Sequence, residues 1–280
     1  MYKNKFEVPL TIYNTEQIFQ ILKNSKYREV IQNVYVPPHP DDGGSGRVFK
    51  YPYDKAGYYR LLRLILKEVE VVMTFPQGIP EVIEKYARLG VKRFMVSNWN
   101  DAYTIIKQKY PGVIIERSIV GNSYNETIDY RFDGIVIPYK WLLDIEKIKE
   151  ASKDIKLIAL VNHNCRVSCS SLDIHPQRHI TQIFDEKFDH SCPMGKTFFV
   201  PKPVVDELTK YVSTIKITDR LSPPEWYLDY LNYYAFDKPF EIGNNLIREE
   251  QQRTIDLFNS SNMKQMNCRF ECQNCSKKCY

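Results

Sequence analysis

Along most of the chain, short apolar runs alternate with stretches whose apolar positions recur at helical spacing. The runs fall at 6–12, 30–36, 69–75, 91–96, 113–120, 134–138, 156–161 and 214–218, all of strand length and most bounded by turn residues. Between them, Asn14 or Thr15 is placed to cap a helix carrying Ile18, Phe19 and Leu22 on one stripe. Leu61, Leu62, Ile65 and Leu66 form the stripe of a helix from Tyr58 to Lys67. Pro80 opens a helix that Gly90 closes, and Pro111-Gly112 stops one running from Trp99 to Lys109. Further helices are predicted from Leu142 to Ser152 and from Val204 to Tyr211, the latter introduced by Pro201 and Pro203.

Apolar strands alternating with amphipathic helices predict a parallel sheet covered on both faces. Eight of them within about 220 residues predict an α/β fold of the closed (β/α)8, TIM-like barrel type. An open doubly wound sheet is the alternative, but no G-x-G-x-x-G follows the first strand. The division read from the pattern is a barrel over 1–221 and a helical extension over 222–280 that ends in a cysteine-rich tail. In the extension, Pro223 to Tyr234 reads as an aromatic helix. Its rings suit either stacking on bases or packing against the barrel, and packing is preferred. A second helix, 248–259, leads into the tail. The loop Pro37 to Arg47 is glycine-rich, yet no Lys-Ser/Thr follows and no helix opens directly. It reads as a strand-to-helix loop over the mouth of the barrel rather than a nucleotide loop.

Composition adds little until the cysteines are counted. The 280 residues, 43% hydrophobic and 26% charged, suffice for one sizeable core plus an appendage. A net charge of +5 fits RNA, an acidic small molecule or an ordinary solvated surface. There is no apolar h-region behind the first lysines and no window near ~18 apolar residues. The expectation is a cytoplasmic protein with no membrane segment. Thiols stay reduced there, so seven cysteines point to metal rather than to disulfides.

All seven lie after residue 160. Cys165 and Cys169 follow the strand 156–161, where barrels place their chemistry, and Cys192 comes twenty-three residues after Cys169. Three cysteines leave a coordination position open, or one of His163, His175, His179 and His190 completes the set. Simple burial of one or two of these thiols is the alternative. Cys268, Cys272, Cys275 and Cys279 supply four ligands in twelve residues, a closed set that zinc or a 4Fe–4S cluster would each satisfy. Their first three also match the radical S-adenosylmethionine spacing, but no barrel follows them. A terminal cysteine capping the barrel site, giving one cluster in place of two, is a further topology. For acid–base work His175, His179, Asp173 and His190 are the candidates. Lys216 and Arg220, at the end of the last strand, are placed either to hold an anionic group or to salt-bridge within the rim.

Asn162-x2-Cys165-x3-Cys169, His175 and Cys192 together resemble the collagenase-like peptidase family, as do Phe198-Phe199-Val200-Pro201 with Asp206-Glu207-Leu208, and Ile215-Lys216-Ile217-x2-Arg220. Gly46-Arg47, Asn98, Pro111 and Gly134-Ile135 are smaller echoes. Some members of that family are iron–sulfur proteins acting in oxygen-independent hydroxylation of ubiquinone precursors and RNA. The resemblance implies a barrel with an iron–sulfur cluster near its mouth, held by Cys165, Cys169 and Cys192. It favours iron over zinc, with one or two clusters in all. It also implies redox or hydroxylase-like chemistry on a small molecule, peptide or RNA, fed by an electron-donor protein. Ser170-Ser171 stand where the family commonly has proline and arginine, Asp219 replaces a glycine, and there is no counterpart of the large second domain of longer members. Peptidase activity therefore carries over least. A peptidase-like hydrolase acting on a peptide and a non-catalytic, metal-stabilised binding protein are the alternatives.

Overall fold

The computed structural model describes residues 5–9, 15–42, 54–74, 78–119, 127–138, 141–142, 144–163, 198–200, 202–217 and 224–238. In chain order the strands are β1 (Phe6–Pro9), β2 (Ile31–Val36), β3 (Glu70–Thr74), β4 (Arg93–Val96), β5 (Ile114–Arg117), β6 (Gly134–Val136), β7 (Lys156–Leu160), β8 (Asn162–His163), β9 (Phe198–Phe199) and β10 (Thr214–Lys216). β1 to β7 and β10 form a closed, all-parallel barrel in which sequence neighbours pair in turn. β10 closes it between β7 and β1, through the registers Thr214↔Ile158 and Phe6↔Ile215. Each of the eight predicted strands supplies one stave. β8 and β9, which the pattern did not predict, form a separate antiparallel pair.

The helices are α1 (Thr15–Lys23), α2 (Ser25–Arg28), α3 (Lys55–Glu68), α4 (Pro80–Arg88), α5 (Ala102–Lys109), α6 (Ile145–Ala151), α7 (Lys202–Leu208) and α8 (Pro224–Phe236). Local side-chain chemistry sets several of their starts. Asp54 caps α3 by accepting from Gly57 N at 2.7 Å, so that helix begins three residues before the predicted start at Tyr58. Asp144 caps α6 by accepting from Lys147 N at 3.1 Å, which leaves Leu142 in the preceding turn. Gly90, at φ 99°, ends the α4 segment as the sequence predicts.

Outward strand residues such as Val8, Val34, Val71, Phe94, Ile115 and Ile135 are buried under Leu62, Ile65, Ile83, Tyr86, Ile106 and Ile148 of the surrounding helices. This ring of contacts is the main apolar core. α8 joins it directly, with Tyr230, Leu231 and Tyr234 buried and the Tyr234 ring stacked on Phe6 at 6.4 Å. The aromatic helix thus packs on the barrel wall. Among the described residues no helix is long and apolar enough to cross a membrane.

Gly78, which enters α4, sits at φ +57°, and a methyl there would overlap the Tyr103 hydroxyl and press on Val96 Cγ1 at 3.0 Å. That hydroxyl donates to the Gly78 carbonyl, so neither side can withdraw without losing a buried bond. Gly78→Ala is expected to cost about 2–4 kcal/mol of unfolding free energy, from strain and overpacking together. A urea melt of the variant checks it, and a loss below about 0.5 kcal/mol would show that the turn relaxes freely.

Candidate functional site

Side chains alternate across a strand, and the stagger of a closed barrel stacks the inward ones in tiers drawn from alternate strands. The registers put Asn33, Arg93, Gly134 and Thr214 in the lowest of three central tiers. Glu7, Val72, Glu116 and Ile158 form the middle tier, and Tyr35, Met95, Val136 and Lys216 the upper one. Branched apolar side chains usually fill such a space. Here charged and amide groups cross it as one connected ladder.

Lys216 Nζ contacts Glu7 Oε1 and lies 3.8 Å from the centre of the Tyr35 ring. The Asn33 amide, oriented with its nitrogen toward Glu7, donates to Glu7 Oε2 at 2.8 Å and accepts from an Arg93 terminal nitrogen at 3.2 Å. Arg93 then divides its guanidinium. Nε and Nη2 reach Glu116 Oε1 at 3.0 and 2.8 Å, and Nη1 reaches Glu70 Oε2 at 2.9 Å. Glu7, Arg93, Glu116 and Lys216 are all buried, whereas the Glu70 side chain, at the amino-terminal rim, is 38% exposed. Burial of ions on this scale is tolerable only where each finds partners.

One carboxyl is left short. Burial pushes the Glu116 pKa up to about 7, the nearby Glu7 adding to the rise while Arg93 and Lys216 oppose it. Its Oε2 has no hydrogen-bond partner among the described residues. For Arg93, burial works against the charged form, but Glu116 and Glu70 outweigh it and hold the guanidinium charged.

Above the ladder, at the carboxyl ends of the strands, Ser97 and Ser118 face each other at 3.2 Å. Beyond β2, the buried carboxylate of Asp42 accepts from the Tyr59 and Tyr86 hydroxyls at 2.5 and 2.9 Å and from Lys55 and Lys85 at 2.6 Å each. Burial alone would raise its pKa, but these four donors bring it below the ordinary carboxylate value. Asp42 thus fixes the start of the glycine-rich loop at the rim.

β7 runs on through Val161 into β8, and β8 pairs with β9 at Asn162↔Phe199 and His163↔Phe198. Val200 N donates to Val161 O at 2.8 Å, and the Tyr234 hydroxyl donates to Val200 O at 2.7 Å. Two stretches that carry the family resemblance, around Asn162 and around Phe198, are therefore neighbours at the carboxyl-terminal end of β7.

Of the candidate catalytic residues, Lys216 is in the upper tier, ion-paired with Glu7. His175, His179 and Arg220 lie outside the described residues, as do Cys165, Cys169, Cys192, Cys268, Cys272, Cys275 and Cys279. Among the described residues no group of three or more His, Cys, Asp or Glu is arranged to hold a metal ion. Glu7, Asn33, Arg93 and Glu116 were missed by sequence reasoning. The available signal was a charge inside an apolar run, as in Ile114-Ile115-Glu116 and Phe6-Glu7-Val8.

No family model matches the sequence, and no curated protein matches it. The fold does have a solved counterpart. The U32 peptidase Mk0906 superposes with a TM-score of 0.51 at 10% identity, over 79% of this chain and 94% of that one. A mutant tryptophan synthase α-subunit from the hyperthermophile Pyrococcus furiosus aligns at a TM-score of 0.44 and 13% identity, over 78% of this chain and 88% of that one. At such identities the likeness is one of fold, a TIM-type barrel shared with a member of the collagenase-like peptidases.

Proposed function

We propose that the chain is an iron–sulfur-dependent enzyme related to the collagenase-like peptidases, performing redox chemistry of the oxygen-independent hydroxylase kind at the carboxyl-terminal mouth of its barrel. The observation that supports this most directly is the β8–β9 pair. The stretch that carries Cys165, Cys169 and Cys192 leaves after His163 and returns at Phe198, and these two ends pair just beyond β7. In barrels of this type the catalytic groups sit at that end of the strands.

Three thiolates suit an iron–sulfur cluster with one iron open to substrate, so Cys165, Cys169 and Cys192 would hold it. Cys268, Cys272, Cys275 and Cys279 would hold a closed second site, a 4Fe–4S cluster or zinc. When bound, the mouth cluster supplies or accepts single electrons, which calls for an electron-donor protein. His175 and His179, titrating near neutrality, would carry protons to and from the substrate. Lys216 and Arg220 would hold an anionic group of a small molecule, peptide or RNA.

A second reading, a hydrolase acting on a peptide, draws on the likeness to a U32 peptidase. One experiment separates the two. Anaerobic purification should give a coloured protein with matching iron and acid-labile sulfide and a paramagnetic signal on reduction. A colourless protein that holds only zinc and cleaves peptides would sink the first reading and install the second.

A further inference from the structure

We propose that the barrel interior is a proton-binding site centred on Glu116, which takes up one proton in place and so switches the charged ladder beneath the mouth between neutral and net negative.

The geometry argues for it in three ways. The ladder holds three carboxyls, Glu7, Glu70 and Glu116, against two cations, Lys216 and Arg93. With every group ionised it carries one surplus negative charge, and one added proton removes it. The carboxyls are also unequally supplied. Glu7 has both oxygens engaged, by Lys216 and Asn33. Both Arg93 contacts to Glu116 fall on Oε1, which leaves the buried Oε2 as the place for a proton. Glu70 reaches solvent, where its charge is cheap to keep.

The surroundings of Glu116 agree. Arg93 faces it from β4, Glu7 from β1 and Lys216 from β10, with Glu70 of β3 beyond Arg93. Asn33 of β2 and Gly134 of β6 bring no titratable group, and Lys156, which opens β7, is exposed. A Cβ added at Gly134 would press on Lys156 O at 3.1 Å and meet Glu116 Oε1 only at ordinary contact, 3.5 Å, so the glycine answers to the β7 backbone and sets no group against the carboxyl. Burial and the Glu7 charge raise the Glu116 pKa to about 7, inside the range in which cells and enzymes work. The step itself is simple: the carboxyl O–H breaks, the proton passes to solvent, and the carboxylate stays paired with Arg93. As pH rises through neutrality, the tier beneath Lys216 gains a negative charge and an anionic ligand at the mouth is held less tightly.

The inference needs no metal, and its test reads none, so its failure and that of the iron–sulfur reading are separable. The full chain, labelled with carbon-13 at glutamate carboxyls and nitrogen-15 at arginine side chains, is titrated from pH 5 to 9. One carboxyl resonance should titrate with a midpoint near neutrality, the Arg93 Nε signal should move with the same midpoint, and Glu116→Gln should abolish both. In parallel, the urea midpoint of the wild type should fall between pH 5.5 and 8 while that of Glu116→Gln stays level. If every glutamate has finished titrating below pH 6, or the neutral titration survives in Glu116→Gln, the proposal is overturned. Should Glu116→Gln fail to fold, the wild-type signals decide: coincident midpoints support the site, and a flat Arg93 signal overturns it.

Discussion

Arg93→Met is expected to cost the fold about 3–5 kcal/mol, the scale on which breaking a buried ion pair from one side destabilises a protein. Methionine fills most of the volume and keeps the stem apolar, so a cavity is not the cause. The cause is the loss of the group that joins Glu70, Glu116 and Asn33. Glu116 is fully buried and would then face Glu7 with less to offset it. Its answer is to hold a proton more tightly, which fixes the sign of the pH dependence. In the wild type, Glu116 binds a proton in the folded chain up to about pH 7, whereas the unfolded chain has released it above about 4.5. Its contribution is therefore most favourable below the unfolded value, and stability falls as pH rises through that window. In Arg93→Met the folded value climbs further, so the variant should lose more stability at pH 8 than at pH 5.5. Adding Glu116→Gln should recover much of the loss, since removing both members of a buried pair is often close to neutral. Chemical denaturation of the two singles and the double at both pH values measures all of this. A loss under about 1 kcal/mol for Arg93→Met would mean that the ladder is screened by solvent and not a buried network.

The sequence and the structure agree where burial on two faces leaves one reading. Val71-Val72-Met73 and Leu157-Ile158-Ala159-Leu160 are apolar throughout because each residue meets either the barrel interior or a helix, and such runs read as parallel strands without further help. Helix starts were less legible. The stripe of Leu61, Leu62, Ile65 and Leu66 places the start of α3 at Tyr58, but Asp54, four residues before Tyr58, captures Gly57 N and sets the end of the helix. The β8–β9 pair was out of reach for another reason. Two residues on each side, thirty-five apart in sequence between His163 and Phe198, carry no period and owe their pairing to the barrel end they sit on.

The ladder was hidden more thoroughly. A charge within a strand reads as the solvent side of an alternating pattern, which is how Glu7, Arg93 and Glu116 pass when each strand is taken alone. Only closure reverses that meaning, since it turns the charged face of β1, β4 and β5 inward and brings three distant segments within hydrogen-bonding reach. Lys216 illustrates the converse. Its place at the end of the last strand was legible, but its partner is set by the closing register Glu7↔Lys216, which joins the two ends of the barrel sequence.

Cys165→Ser should abolish activity while leaving the fold and about half of the bound iron, on the reading that the two cysteine sets hold separate clusters. The barrel closes through eight strands that contain no cysteine, and the described wall packs without any thiol. Loss of a mouth ligand should therefore leave the unfolding transition of the barrel close to that of the wild type. Cys275→Ser should act the other way. On the same reading the four thiolates of the tail would bind metal only when folded, so losing one would remove a folding contribution on the order of 10 kcal/mol of apparent metal binding from the region after Asn259. That region should become sensitive to protease and melt early while the mouth keeps its iron. Iron and sulfide per chain, activity, limited proteolysis and a melting curve for each single variant make the measurement. Either substitution alone emptying the protein of all iron would show that the thiols near β7 and the thiols of the tail are ligands of one cluster.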